Sequence, residues 1–118
     1  MSGIQQRQET LEKARQREVA RDCVQHGIRF CETAYGRHRV LAIDLATLDQ
    51  SNPATCMLAQ CSGINYGLAL AHVPSDARYC QGRGFASGWA NLNFAVLTEV
   101  AKEEVVAYRK RHAALVAA

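Results

Sequence analysis

Between Ile4 and Val19 the chain offers a core only Leu11 and Ala14; every other position is polar or charged. Gln5 to Glu18 contains good helix formers and no glycine or proline, so the pattern predicts a helix from residue 4 to about 25. Glu9 and Lys13 add a favourable i,i+4 pair. Apolar residues gather only towards its end, at Val19, Ala20 and Val24. A helix so poor in apolar positions is exposed over its first half, either as a solvated end or as a surface for a partner. Val24, Ile28 and Cys31 carry one face on towards Tyr35. Gly27 is a weak point of about 1 kcal/mol relative to alanine, and Gly36 is the expected stop.

The clearest periodicity is at the other end. Leu97, Ala101, Val105, Tyr108, His112 and Leu115 recur every three or four positions, which is one continuous helical face. That helix starts between Leu92 and Thr98. Glu99, Glu103 and Glu104 lie early in it and Arg109, Lys110 and Arg111 lie late, an order that complements the helix dipole.

Between these two helices the pattern is short and punctuated. Val40 to Ile43 reads equally as a strand or as an apolar loop, because periodicity decides nothing over four residues. Asp44 is placed to cap a short helix from Leu45 to Leu48. Ser51 or Asn52 caps a further helix with Pro53 at its first position and Gly63 as its left-handed stop. Asn65 opens a helix from Tyr66 to Val73 that Pro74 ends, and Ser75 opens another turn through Cys80. Residues 82 to 88 carry three glycines and read as loop, with Phe85 and Trp89 anchoring it to the core. The whole is a mainly α, small single-domain helical fold that leaves room for one short β-strand pair. Its expected organisation is a polar N-terminal helix over 1–25 and a compact helical domain over 26–118.

Composition narrows the function classes. The chain has 118 residues, 48% hydrophobic and 21% charged, which suits one globular domain. The longest charge-free apolar-leaning run, Met57 to Val73, is interrupted by Gln60, Ser62, Gly63, Asn65, Gly67 and His72, and is too short and too polar to span a bilayer. No apolar signal core follows Met1, so the expectation is a cytoplasmic protein without membrane contact. The net charge of +3 is mild for a dedicated nucleic-acid binder.

The candidate chemistry is sparse. Five cysteines, at 23, 31, 56, 61 and 80, are an odd number without an export signal, which argues for buried thiols rather than a disulfide framework. Cys56 and Cys61 lie five apart, about 140° around a helix, and so do not easily chelate one metal from an intact helix. A zinc site built from Cys56, Cys61, Cys80 and His72 matches no usual ligand spacing. No cysteine has a histidine placed beside it in a catalytic pattern. Gly82 and Gly84 lack the third glycine of a dinucleotide fingerprint, since position 87 is Ser87. No catalytic residue and no cofactor is therefore expected. Three basic clusters remain: Lys13, Arg15 and Arg17; Arg37 and Arg39; Arg109, Lys110 and Arg111. Together on one face they would follow a phosphate backbone; scattered, they are solvated helix faces.

The run Ile43-Asp44-Leu45-Ala46-Thr47-Leu48-Asp49 and the capped segment after it resemble a pattern in small uncharacterised proteins of phages infecting actinobacteria. There an Ile-Asp-Leu…Leu-Asp segment leads to a helix with Cys-x-Leu-x-Gln, then glycine and tyrosine. Cys56, Leu58, Gln60, Gly63 and Tyr66 match it here. Gly84-Phe85 and Leu97-Thr98 are similar to a Gly-Phe and a Leu-Thr that follow in those proteins. Ala59 replaces a glycine of the pattern, and Ala101 stands near the place of a tryptophan. The match is scattered over roughly residues 40 to 110. The resemblance implies a phage or prophage origin and no activity. The expectation is a non-enzymatic accessory protein that binds a host or phage protein or forms a homo-oligomer. A nucleic-acid-binding protein is the alternative, and a small zinc-binding protein the third reading.

Overall fold

The computed structural model describes residues 2–69 and 94–117. Among the described residues there are five helices: α1 (Ser2–Tyr35), α2 (Arg37–Leu41), α3 (Met57–Ser62), α4 (Tyr66–Ala69) and α5 (Phe94–Ala117). No strand occurs among the described residues. The helices expected beyond Ala69, the loop at 82–88, Phe85 and Trp89 lie outside them.

The first expected helix and its continuation are one element. α1 runs 34 residues, about 51 Å at 1.5 Å per residue. It passes through Gly27, which is buried, and ends where Gly36 turns to a positive φ of 101°. The Gly36 amide still donates to the Glu32 carbonyl at 3.0 Å, closing the last turn. Ala20, Cys23, Val24, Ile28 and Cys31 are buried at intervals of three or four, the stripe expected of a core-facing helix. Residues 7 to 15, by contrast, are all exposed.

The stretch Val40 to Ile43 is not a strand. A helical turn restarts at once after Gly36, and Ala42 donates to the His38 carbonyl at 3.1 Å. Val40 and Ile43, three apart, are both buried. A helical turn puts such positions on one side, whereas a strand would put them on opposite faces. The expected helix from Leu45 to Leu48 is a single turn. The Asp44 carboxylate accepts from the Ala46 amide at 3.0 Å, and the Asp44 carbonyl accepts from the Leu48 amide at 3.0 Å.

α3 begins later than its punctuation suggests. Asn52 and Pro53 form a turn of their own, with the Asn52 Oδ1 accepting from Ala54 at 2.9 Å and the Asn52 carbonyl from Cys56 at 2.9 Å. Cys56 is then extended, and the helix starts at Met57. The Met57 amide donates to Oε1 of Gln50 at 2.8 Å, so a side chain seven residues upstream supplies the cap. The stop is the expected one: Gly63 is left-handed at φ 77°, and its amide donates to the Ala59 carbonyl at 2.9 Å. The positive φ is what favours glycine at this position; a β-carbon there would also sit 2.6 Å from the Arg39 guanidinium, which would have to move aside. Gln60 stitches the two turns together. Its Oε1 accepts from the Asp44 amide at 2.6 Å, and its Nε2 donates to the Thr55 carbonyl at 2.9 Å.

α5 packs against α1 along Leu97, Val100, Ala101, Val105 and Tyr108, all buried. Partners along the two helices rise together in number, from Arg17 and Glu99 to Glu32 and Tyr108, so the helices run in the same sense. α2 and α3 also lean on α1 and bring Val40, Met57, Leu58 and Cys61 into the same core.

Candidate functional site

The early acids of α5 do more than complement its dipole. Arg17 bridges Glu99 at 2.9 Å and also pairs with Glu103, while Arg21 reaches Glu103 at 3.2 Å. Glu104 is almost buried and accepts from the Gln25 amide at 2.6 Å. In the first basic cluster, Arg15 pairs with Glu12 at 2.6 Å and Lys13 is exposed. That cluster therefore lies towards the start of α5 and is largely neutralised by acids.

The other two clusters converge at the opposite end of the α1–α5 pair. Arg39 donates to the Cys61 carbonyl at 2.7 Å, and Arg109 donates to the Ile43 carbonyl. Arg37 interacts with the Tyr108 hydroxyl, and the Arg111 guanidinium lies 5.9 Å from the centroid of the Tyr108 ring. Lys110 is exposed beside them. The fold thus brings Arg37, Arg39, Arg109, Lys110 and Arg111 to one end and leaves Lys13, Arg15 and Arg17 at the other.

Tyr108 is the centre of this end. Its hydroxyl donates to the Glu32 carboxylate, and its ring stacks obliquely on His112 at 4.3 Å between centroids. Burial, then the neighbouring Glu32 carboxylate, push the Tyr108 hydroxyl up to about 12, with Arg37 pulling the other way. A groove of about 400 Å³ opens against it, walled by Ile28, Arg29 and Glu32 of α1 and by Arg111 and His112 of α5. Arg29 and Glu32 belong to no basic cluster in the sequence. Only the crossing of α1 over α5 places them beside residues about eighty positions away.

The raised Tyr108 value has a pH consequence. The folded state favours the protonated hydroxyl, so its contribution to stability is whole below the ordinary tyrosine value near 10 and drains away as pH rises through about 12. Between those limits the urea midpoint of the native chain is expected to fall further than that of Tyr108→Phe. Parallel falls in the two proteins would contradict this assignment.

The described cysteines, Cys23, Cys31, Cys56 and Cys61, are buried. Burial, with Asp22 adding to it, raises the Cys23 thiol to about 11, and burial raises Cys56 as well. The Cys23 and Cys56 thiols are therefore protonated at neutral pH and are packed as small apolar groups. Among the described residues no three of His, Cys, Asp and Glu are grouped to hold a metal. Cys56 and Cys61 sit in the core around α3; Cys80 and His72 lie outside the described residues. Among the described residues no helix is long and apolar enough to cross a membrane. No known protein family, curated protein or solved structure matches the chain.

Proposed function

We propose that the chain is a non-enzymatic accessory protein that works by binding a protein, and that the exposed start of α1 is its contact element. One observation carries this reading: residues 7 to 15 are exposed around the whole helix while the same helix is buried from Ala20 to Cys31. A helical segment exposed on every side gains little from tertiary packing, which supplies most helical stability in proteins. A partner surface would supply it. Leu11, 69% exposed among Arg7, Glu9, Glu12, Lys13 and Arg15, is the apolar anchor such a contact would use. The resemblance over residues 40 to 110 points to a phage or prophage setting; the partner is a host or phage protein, or a second copy of the chain.

The test uses the tagged full chain in nuclease-treated host lysate, beside Leu11→Glu. A captured protein that is lost with Leu11→Glu, at unchanged circular dichroism, supports the reading. A mass increase of the pure protein in sedimentation, also lost with Leu11→Glu, makes the partner a second copy. Capture that survives the substitution, or no capture and no self-association, overturns it.

A second reading is nucleic-acid binding, favoured by the convergence of Arg37, Arg39, Arg109, Lys110 and Arg111 at one end. Binding through these residues would fall steeply with added salt. No binding of a duplex or single strand at low salt would exclude it.

A further inference from the structure

Most arginines in this fold already have an acceptor. Arg15, Arg17 and Arg21 face carboxylates, Arg39 and Arg109 donate to backbone carbonyls, and Arg37 reaches the Tyr108 hydroxyl. Arg29 and Arg111 differ. They wall one groove from two helices, and neither has a hydrogen bond or an ion pair among the described residues. Arg111 is instead laid over the Tyr108 ring, which orients its planar fork and leaves the donors unused.

The groove holds a third donor. Among the described residues Nδ1 of His112 is buried without a hydrogen-bond partner. His112 lines the groove, so a ring nitrogen is at hand there as a third polar group. Among the described residues Glu32 is the one acid on its walls, and its carboxylate already accepts from the Tyr108 hydroxyl. With Arg37 beside Tyr108, the balance of charge is positive.

We propose that this groove binds a phosphate group, with Arg29 and Arg111 holding it from the two walls and His112 donating a third hydrogen bond. Two guanidinium forks and an imidazole on separate walls suit an anion with three outward oxygens. A carboxylate has two oxygens in one plane and saturates a single fork. The groove's 400 Å³ leaves room for the group to arrive attached to something larger. The proposal draws on the charged end that also carries the nucleic-acid reading, but the site exists for free phosphate as well as for a nucleic-acid backbone.

The experiment titrates the full chain by calorimetry with inorganic phosphate and with a short single-stranded DNA, following the His112 ring by NMR. Saturable one-site binding is expected, with a shift at His112. Arg29→Ala and Arg111→Ala should each weaken it at least tenfold, while Arg7→Ala should leave it unchanged. Both site arginines are exposed, so the variants are expected to fold, and Arg29→Lys tests charge against fork geometry with a partial loss. Tighter binding of DNA than of phosphate, with the same losses, assigns the source to nucleic acid. Phosphate binding without DNA binding keeps the site and sinks the nucleic-acid reading. Saturation by neither probe, or binding indifferent to Arg29→Ala and Arg111→Ala, overturns the proposal.

Discussion

Leu58→Ala is expected to remove about 2–5 kcal/mol of stability, whereas the same change at Leu11 should cost less than about 0.5 kcal/mol. Leu58 is fully buried in α3, where that helix meets the core face of α1. Shortening it removes apolar contacts and leaves a cavity that α3 cannot collapse to fill, because Gln60 ties the helix to the Asp44 and Thr55 turns. Leu11 is 69% exposed, and its truncation leaves no hole. For a chain of this size the Leu58 change should lower Tm by roughly 8–20 °C. Thermal unfolding followed by circular dichroism measures both. Equal losses at the two leucines would mean that the start of α1 is packed in solution, which would also remove the basis for its role as a contact arm.

Gln50→Ala should cost about 1–3 kcal/mol, a large effect for a polar side chain. Gln50 is 3% exposed. Its Oε1 caps α3 at the Met57 amide, and its own amide donates to the Thr98 hydroxyl on α5 at 2.8 Å. The alanine variant keeps the backbone bond but leaves the Met57 N–H buried and unpaired, at the full desolvation cost of a lost acceptor. Urea denaturation gives the loss, and hydrogen exchange locates it. The Met57 amide should exchange faster in the variant relative to amides of α1. Unchanged protection at Met57 would show that another group takes over the cap.

These two residues mark where the reading of the sequence stops. Leu58 is recognisable as a core candidate from its own short helix. Gln50 carries no such signal, since an amide seven residues before a helix is a usual turn residue. Its role exists only because the turns at Asp44–Leu48 and Asn52–Cys56 fold it back onto Met57. The same distinction separates the two strong helix stops from the weaker starts. Gly36 and Gly63 end their helices where expected, because a positive φ at glycine is a property of the residue itself. Ser51, Asn52 and Pro53 satisfy the rules for a helix start, yet they close a turn of their own, and the helix begins at Met57.

The sequence by itself determined the helical class, the exposed first half of α1, the core stripe of α5 and the glycine stops. Each is written within one or two turns of chain, where side-chain period and backbone preference act directly. Only the tertiary structure decided that α1 continues through Gly27, that Val40 to Ile43 coils rather than extends, and that Arg17 is spent on Glu99 and Glu103. It also decided that Arg29, Glu32, Tyr108, Arg111 and His112 share one groove. Those outcomes depend on contacts between residues tens of positions apart, where burial of the α1–α5 face outweighs the small local preferences of glycine, β-branched residues and isolated charges.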